Sequence, residues 1–178
     1  RFLLGTDLQG RDVLSAMLYG GRISLLVGIG AVALSVVIGM AVGLLAGYFG
    51  GMTDAVLMRI AEIQFAFPPI LIALLFNGIL KASLPADVFA QAAVPIMIFA
   101  IGLAGWVQFA RIVRASTLVQ RNQDYVTACH AVGLPTLTII LRHITPNILG
   151  PVLVLAMLQI AVAIVTEATL SFLGLGTP

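Results

Sequence analysis

Charged side chains are scarce in this sequence: Asp, Glu, Lys and Arg make up 9% of it, against about 25% in soluble domains. A soluble domain of this length has no means of hiding so much apolar surface, so lipid must be the solvent for most of the chain. The net charge is only +2, which gives no case for a nucleic-acid partner. Cys129 is the single cysteine, which rules out an internal disulfide and a cysteine-rich metal site. Lys81 is the single lysine and follows Leu80, so the Gly-Lys-Ser/Thr ending of a phosphate-binding loop is missing. If transport through this chain is driven by ATP, another subunit must hydrolyse it. Nothing at the start reads as a signal peptide. With Arg1 first and Pro178 last, the chain is expected to be a piece of a longer membrane protein, a single transmembrane domain with further helices on either side.

What the sequence has in abundance is long apolar runs. Hydrophobic residues make up 61% of it, with a mean hydropathy of +1.14. A span needs about 20 mainly apolar residues, and four stretches qualify: roughly 23–48, 55–80, 88–110 and 148–170. Strands of a membrane barrel would alternate polar and apolar over about ten residues. These runs are longer and unbroken, so an all-α bundle is expected. With four crossings, 49–59 and 111–146 share one side and carry Arg59, Arg111, Arg114, Arg121 and Arg142. The other side carries Arg1, Arg11, Arg22 and Lys81. The dense group within 111–146 places that connection in the cytoplasm.

Several residues speak to packing. Ala31, Ser35, Gly39, Gly43 and Gly47 recur every fourth position, a stripe that lets another helix backbone come close. Packing within one protomer is the expected use of it. Pro68 and Pro69 predict a kink in the second span, freeing carbonyls near Gln64 and Phe65. Glu62 lies three residues from Arg59 on one helix face, where opposite charges pair. Gln108, Gln159 and Glu167 are polar groups at membrane depth, as are Asn77 and Gln91, whereas Glu62 lies near the cytoplasmic boundary. Glu62, Gln108, Gln159 and Glu167 are the candidates either to line a pathway or to tie helices together.

Residues 124–147 interrupt the greasy pattern. Tyr125, Ala128, Cys129 and Val132 repeat with helical spacing, leaving Asp124 and Thr127 opposite. Gly133 and Pro135 then end that helix. Pro135 suits the opening of a second short helix, with Leu137, Ile140, Leu141 and Ile144 apolar, Thr138, Arg142 and Thr145 polar, and Pro146 closing it. Two amphipathic helices joined at a sharp corner fit a groove on a partner protein. Cys129, His130 and His143 make a poor metal site, since the histidines stand thirteen residues apart across the corner. No third group is placed to orient a Cys–His nucleophile.

The stretch Tyr125-Val-Thr-Ala-Cys-His-Ala-Val-Gly133, followed by His143-Ile-Thr-Pro-Asn147, resembles the cytoplasmic Glu-Ala-Ala loop of ABC importer permeases. Three further stretches resemble the dipeptide/oligopeptide/nickel branch of that family. They are Leu4-Gly-Thr-Asp-Leu-Gln-Gly-Arg-Asp-Val-Leu-Ser15, Ala46-Gly-Tyr-Phe-Gly-Gly51 and Glu167-Ala-Thr-Leu-Ser-Phe-Leu-Gly-Leu-Gly176. Thr127 stands where the family pattern has Glu, and Cys129 where it has the second Ala. The resemblance implies a MetI-like ABC permease fold in a bacterial or archaeal cytoplasmic membrane, with no cofactor and no catalytic residue. It also implies ATPase subunits coupled through Tyr125, Thr127, Ala128, Cys129, His130 and Gly133, a second homologous permease, and a solute-binding protein outside. Peptides, nickel, opines and glutathione all remain open as solutes. The rival reading is an ion-coupled secondary transporter or channel subunit, which would carry central acids in broken spans.

Overall fold

A computed structural model describes residues 3–7 and 9–175. Arg1, counted above among basic flanks, and Leu8 and Gly176, at which two of the quoted motifs run or end, lie outside the described residues. Helix α1 (Val13–Phe49) opens on Asp12, whose carboxylate accepts the Leu14 amide and the Ser15 hydroxyl. Its 37 residues span about 55 Å, well beyond the 23–48 stretch. It stops at Gly50, which takes a positive φ of 66° that glycine adopts without strain.

The second apolar stretch is interrupted by more than a kink. It is two helices, α2 (Gly51–Phe65) and α3 (Pro69–Ser83), bent by 85°. Adjacent prolines explain why the expected kink became a break. Neither can donate a backbone hydrogen bond, and the residue before each is driven out of the helical region; Pro68 sits at ψ 130°. The Gln64 carbonyl freed by the break is taken by the Phe67 amide at 3.1 Å.

After the short α4 (Ala86–Gln91), α5 (Ala93–Gln120) runs ten residues past the expected end of the third span. Arg111 and Arg114 therefore project from a continuous helix, not from a loop. Then come α6 (Asp124–Ala131) and α7 (Thr136–Thr138). A π-helical stretch (Ile139–Ile144) leads into α8 (Thr145–Leu170), and a second one (Ser171–Leu175) follows it. Here the expectation of a separate second helix closed by Pro146 is corrected: 136–174 form one rod of 39 residues. Proline cannot donate, but the wider π turn just before it accommodates the ring. The Thr145 hydroxyl and the Asn147 amide add donors to the Ile140 and His143 carbonyls at 2.9 and 2.7 Å.

Helix α5 is central. Within its most apolar window 61% of residues are buried, against 33% for α1 and 17% for the α8 rod. The small-residue stripe of α1 lies against it: a Cβ at Gly47 would stand 2.8 Å from the Arg114 carbonyl, and one at Gly43 2.6 Å from that of Ala110. The stripe therefore serves a seam within the protomer. At the end of this seam Thr117 is fully buried, and its hydroxyl has no hydrogen-bond partner among the described residues. Thr117→Val keeps the shape and removes the desolvated hydroxyl, so it is expected to stabilise the bundle by roughly 1 kcal/mol. A rise in the denaturant midpoint of detergent-solubilised protein is the readout; a fall would show that the hydroxyl is satisfied.

Candidate functional site

The corner at 121–136 is held from behind by specific contacts. Arg121 caps the last turn of α1, donating to the Gly47 and Tyr48 carbonyls at 3.1 and 2.9 Å. Those carbonyls have no partner within their own helix, which makes a guanidinium there favourable. Tyr125 donates its hydroxyl to the Gln120 side chain at 2.8 Å, and the Tyr48 hydroxyl meets His130 Nε2 at 3.1 Å. Asp124 sits in the first turn of α6 and His130 in the last, each where the helix dipole favours it. Gly133, at φ 81°, then lets the chain fold back. The amides of Gly133 and Leu134 reach the His130 and Cys129 carbonyls at 3.0 and 3.1 Å, satisfying the helix end.

The inward face of α6 differs from the expected one. Val126 is buried, with Tyr125, Cys129 and Leu134 packed beside the core. Val132, predicted to be on the apolar face, is 80% exposed, and Ala128 is exposed too. Leu137 and Leu141 likewise point outward while Ile139, Ile140 and Ile144 are buried. The π turn shifts the register by one residue, which rotates the buried face. Of the six residues assigned to coupling, Thr127, Ala128, His130 and Gly133 are exposed, and Tyr125 and Cys129 are half-buried supports.

Glu62, Gln108, Gln159 and Glu167 are each drawn into a pair. Glu167 is 4% exposed and accepts hydrogen bonds from Ser24 at 2.6 Å and Ser171 at 2.8 Å, tying α1 to the far end of α8. Nearby, Lys81 donates to the Gly174 carbonyl at 2.7 Å. Glu62 pairs with Arg59 at 3.2 Å, both mostly exposed. Gln159 donates to Gln108 at 2.6 Å, joining α8 to α5 at the edge of a half-open cleft.

Sequence reasoning passed over the contacts that hold α2. Asp54 and Arg114 form a two-pronged ion pair, with Arg114 Nη2 at 2.6 Å from Asp54 Oδ2 and a shorter contact between Nε and Oδ1. Gln64 bridges the α2–α3 break to α5, donating to the Leu103 carbonyl at 2.7 Å and accepting from the Trp106 indole at 2.9 Å. Arg111 stacks over the Phe65 ring at 5.2 Å. The only signal for the ion pair was that 49–59 and 111–146 were expected on one side of the membrane.

A family model described as "Binding-protein-dependent transport system inner membrane component" matches residues 39–178. The oligopeptide transport system permease protein OppC of Bacillus subtilis is 41% identical over 98% of this chain and 54% of that protein. OppC of Haemophilus influenzae is 47% identical over 97% of this chain and 52% of its own length. The glutathione transport system permease protein GsiD of Pectobacterium atrosepticum is 40% identical over 97% and 54%. The chain thus spans about half the length of the curated relatives it matches. Among solved structures, an amino acid ABC transporter crystallised with histidines superposes with a TM-score of 0.59, at 19% identity, over 92% of this chain and 77% of that one. That likeness establishes a shared fold.

Proposed function

Since this chain belongs to the binding-protein-dependent transport system inner membrane component family, we propose that it is the membrane-embedded part of a permease subunit in an ATP-driven importer. The family is a transport component of the inner membrane and not an enzyme, and three helices here are long and apolar enough to cross a bilayer. The solute we assign is a peptide or a related small molecule, as the names of the similar oligopeptide and glutathione permeases suggest. Separate ATPase subunits drive it from the cytoplasm, a second permease completes the pathway, and a solute-binding protein delivers from outside.

The observation that carries this reading is the elbow itself. Four of its assigned residues face out while Val126, Tyr125, Cys129 and the Arg121 cap hold it rigid. A docked motor that moves α6 pulls on α1 through Tyr48 and His130. Because the second half of the elbow is continuous with α8 in 136–174, the push is also passed into α8. Alternating access then follows from two packings of the same helices with similar free energy.

Ala128→Asp tests the docking. Ala128 is exposed, so a carboxylate there leaves the fold intact but is buried on docking, and ATPase association should fall at least about tenfold. The full-length permease, co-expressed with its ATPases, is purified in detergent and the bound ATPase quantified. Unchanged association would refute the docking surface, and ion-driven uptake by the permease alone would favour a secondary transporter.

A further inference from the structure

We propose that the Gln108–Gln159 amide pair is a solute subsite that reads the peptide bond of the transported molecule; this rests on the importer reading above. The pair sits on the wall of a small cleft of about 60 Å³ between α1, α3, α5 and α8. Gln159 is near the middle of α8, and Gln108 faces it from α5, so the cleft lies at mid-depth of the bundle.

The polar chemistry of this cleft is narrow. Among the described residues no Asp, Glu, Lys, Arg, His or Cys lines it. It therefore has nothing to neutralise a free carboxylate or ammonium, and no ligand for a bare divalent cation. Ser35 and Thr166 also line it, but both have spent their hydroxyl protons, on the Gly102 and Val162 carbonyls at 2.8 Å each. They offer lone pairs only. The glutamines differ. One N–H of Gln159 is used on Gln108, and the side chains form no other hydrogen bond among the described residues. Gln108 keeps its amide N–H groups and Gln159 keeps its carbonyl oxygen. Reversing the assignment of either amide still leaves donors and acceptors on the pair. A peptide group presents the complement: one carbonyl oxygen to accept and one N–H to donate. The rest of the wall is apolar, with Ala31, Ala73, Ala104 and Ala163 beside Val32, Ile101 and Phe109, and the small space admits the amide group itself while the side chains that flank it stay outside. Pro69, at the break between α2 and α3, borders the cleft as well, so movement of α3 about that break alters access to the amides.

The subsite is thus selective for a neutral amide and indifferent to the residues on either side of it. The test uses the full transporter in proteoliposomes, with its binding protein and ATPases, and three probes: dialanine, trialanine and glutathione. Maximal uptake is compared for whichever probe the wild type carries and for its ester isostere, which replaces the peptide N–H by oxygen. Both rates are normalised to loaded binding protein. The wild type is expected to prefer the amide about tenfold. Gln159→Leu and Gln108→Leu should bring the amide-to-ester ratio close to one, with Gln159→Asn recovering part of it. A role in helix packing alone would slow both probes equally and leave the ratio unchanged; that result overturns the subsite and leaves the importer standing. An unchanged ratio is also the outcome if another helix fills the cleft. Failure of the wild type to carry any of the three probes would overturn both readings.

Discussion

Gly43→Leu is expected to leave almost no folded protein in the membrane. A Cβ at Gly43 would stand 2.6 Å from the Ala110 carbonyl oxygen and 2.6 Å from Val113 Cβ. Neither atom is the end of a flexible side chain, so relief requires α1 and α5 to separate. Separation strips contact from Phe109, Val113 and Ala31, which are at most 1% exposed, so the cost exceeds the usual overpacking penalty and reaches about 3 kcal/mol or more. Few membrane bundles tolerate that loss. Gly47→Leu should behave alike, since its Cβ would sit 2.8 Å from the Arg114 carbonyl. Gly150→Ala is the control. Among the described residues nothing lies within 4 Å of a Cβ there, and alanine is the better helix former by about 1 kcal/mol. Monodisperse yield after membrane extraction separates the cases, and a normal yield for Gly43→Leu would mean that α1 and α5 pack differently.

Arg114→Ala is expected to destabilise the elbow end of the bundle by about 2 kcal/mol. The Asp54 side chain is only 19% exposed and its partner 34%, so the carboxylate left behind is largely desolvated and loses two charge-assisted hydrogen bonds. Removing one partner of a fully buried pair costs about 3–5 kcal/mol; partial exposure lowers that figure here. The double variant Asp54→Ala/Arg114→Ala should recover more than half of the loss, because no orphaned charge remains. Arg114→Lys should recover little, since an ammonium cannot make the two-pronged contact. The denaturant midpoints of the wild type, Asp54→Ala, Arg114→Ala and the double variant form a double-mutant cycle. Additive losses would show that the two side chains do not interact. A functional effect should accompany the structural one, because this pair is one of few ties between α2 and α5, and α2 ends at the break beside the cleft.

Part of the candidate site could be read from residue order and part could not. Gly133 and Pro135 announced a corner because left-handed φ and a missing amide act locally, whatever surrounds them. The same holds for Pro68 and Pro69, although local chemistry could not say how far the chain would bend. The inward face of α6 was misread because periodicity counts apolar residues without knowing which side meets a neighbour. Val132 fits the spacing as well as Val126 does, and only the core beneath α6 chose between them.

Composition settled that this chain lives in lipid, and the length of its unbroken apolar runs that it is helical. Spacing marked the glycine stripe as a face for close helix approach, and the fold then set α5 of the same chain against it. Folding decided the pairings: Asp54 with Arg114, Gln108 with Gln159, and Ser24 with Glu167 are 60, 51 and 143 residues apart. Folding also fused the second half of the elbow to α8. Hydrogen bonds between distant side chains depend on the angle and rotation at which helices cross, and those emerge only when the whole core packs at once.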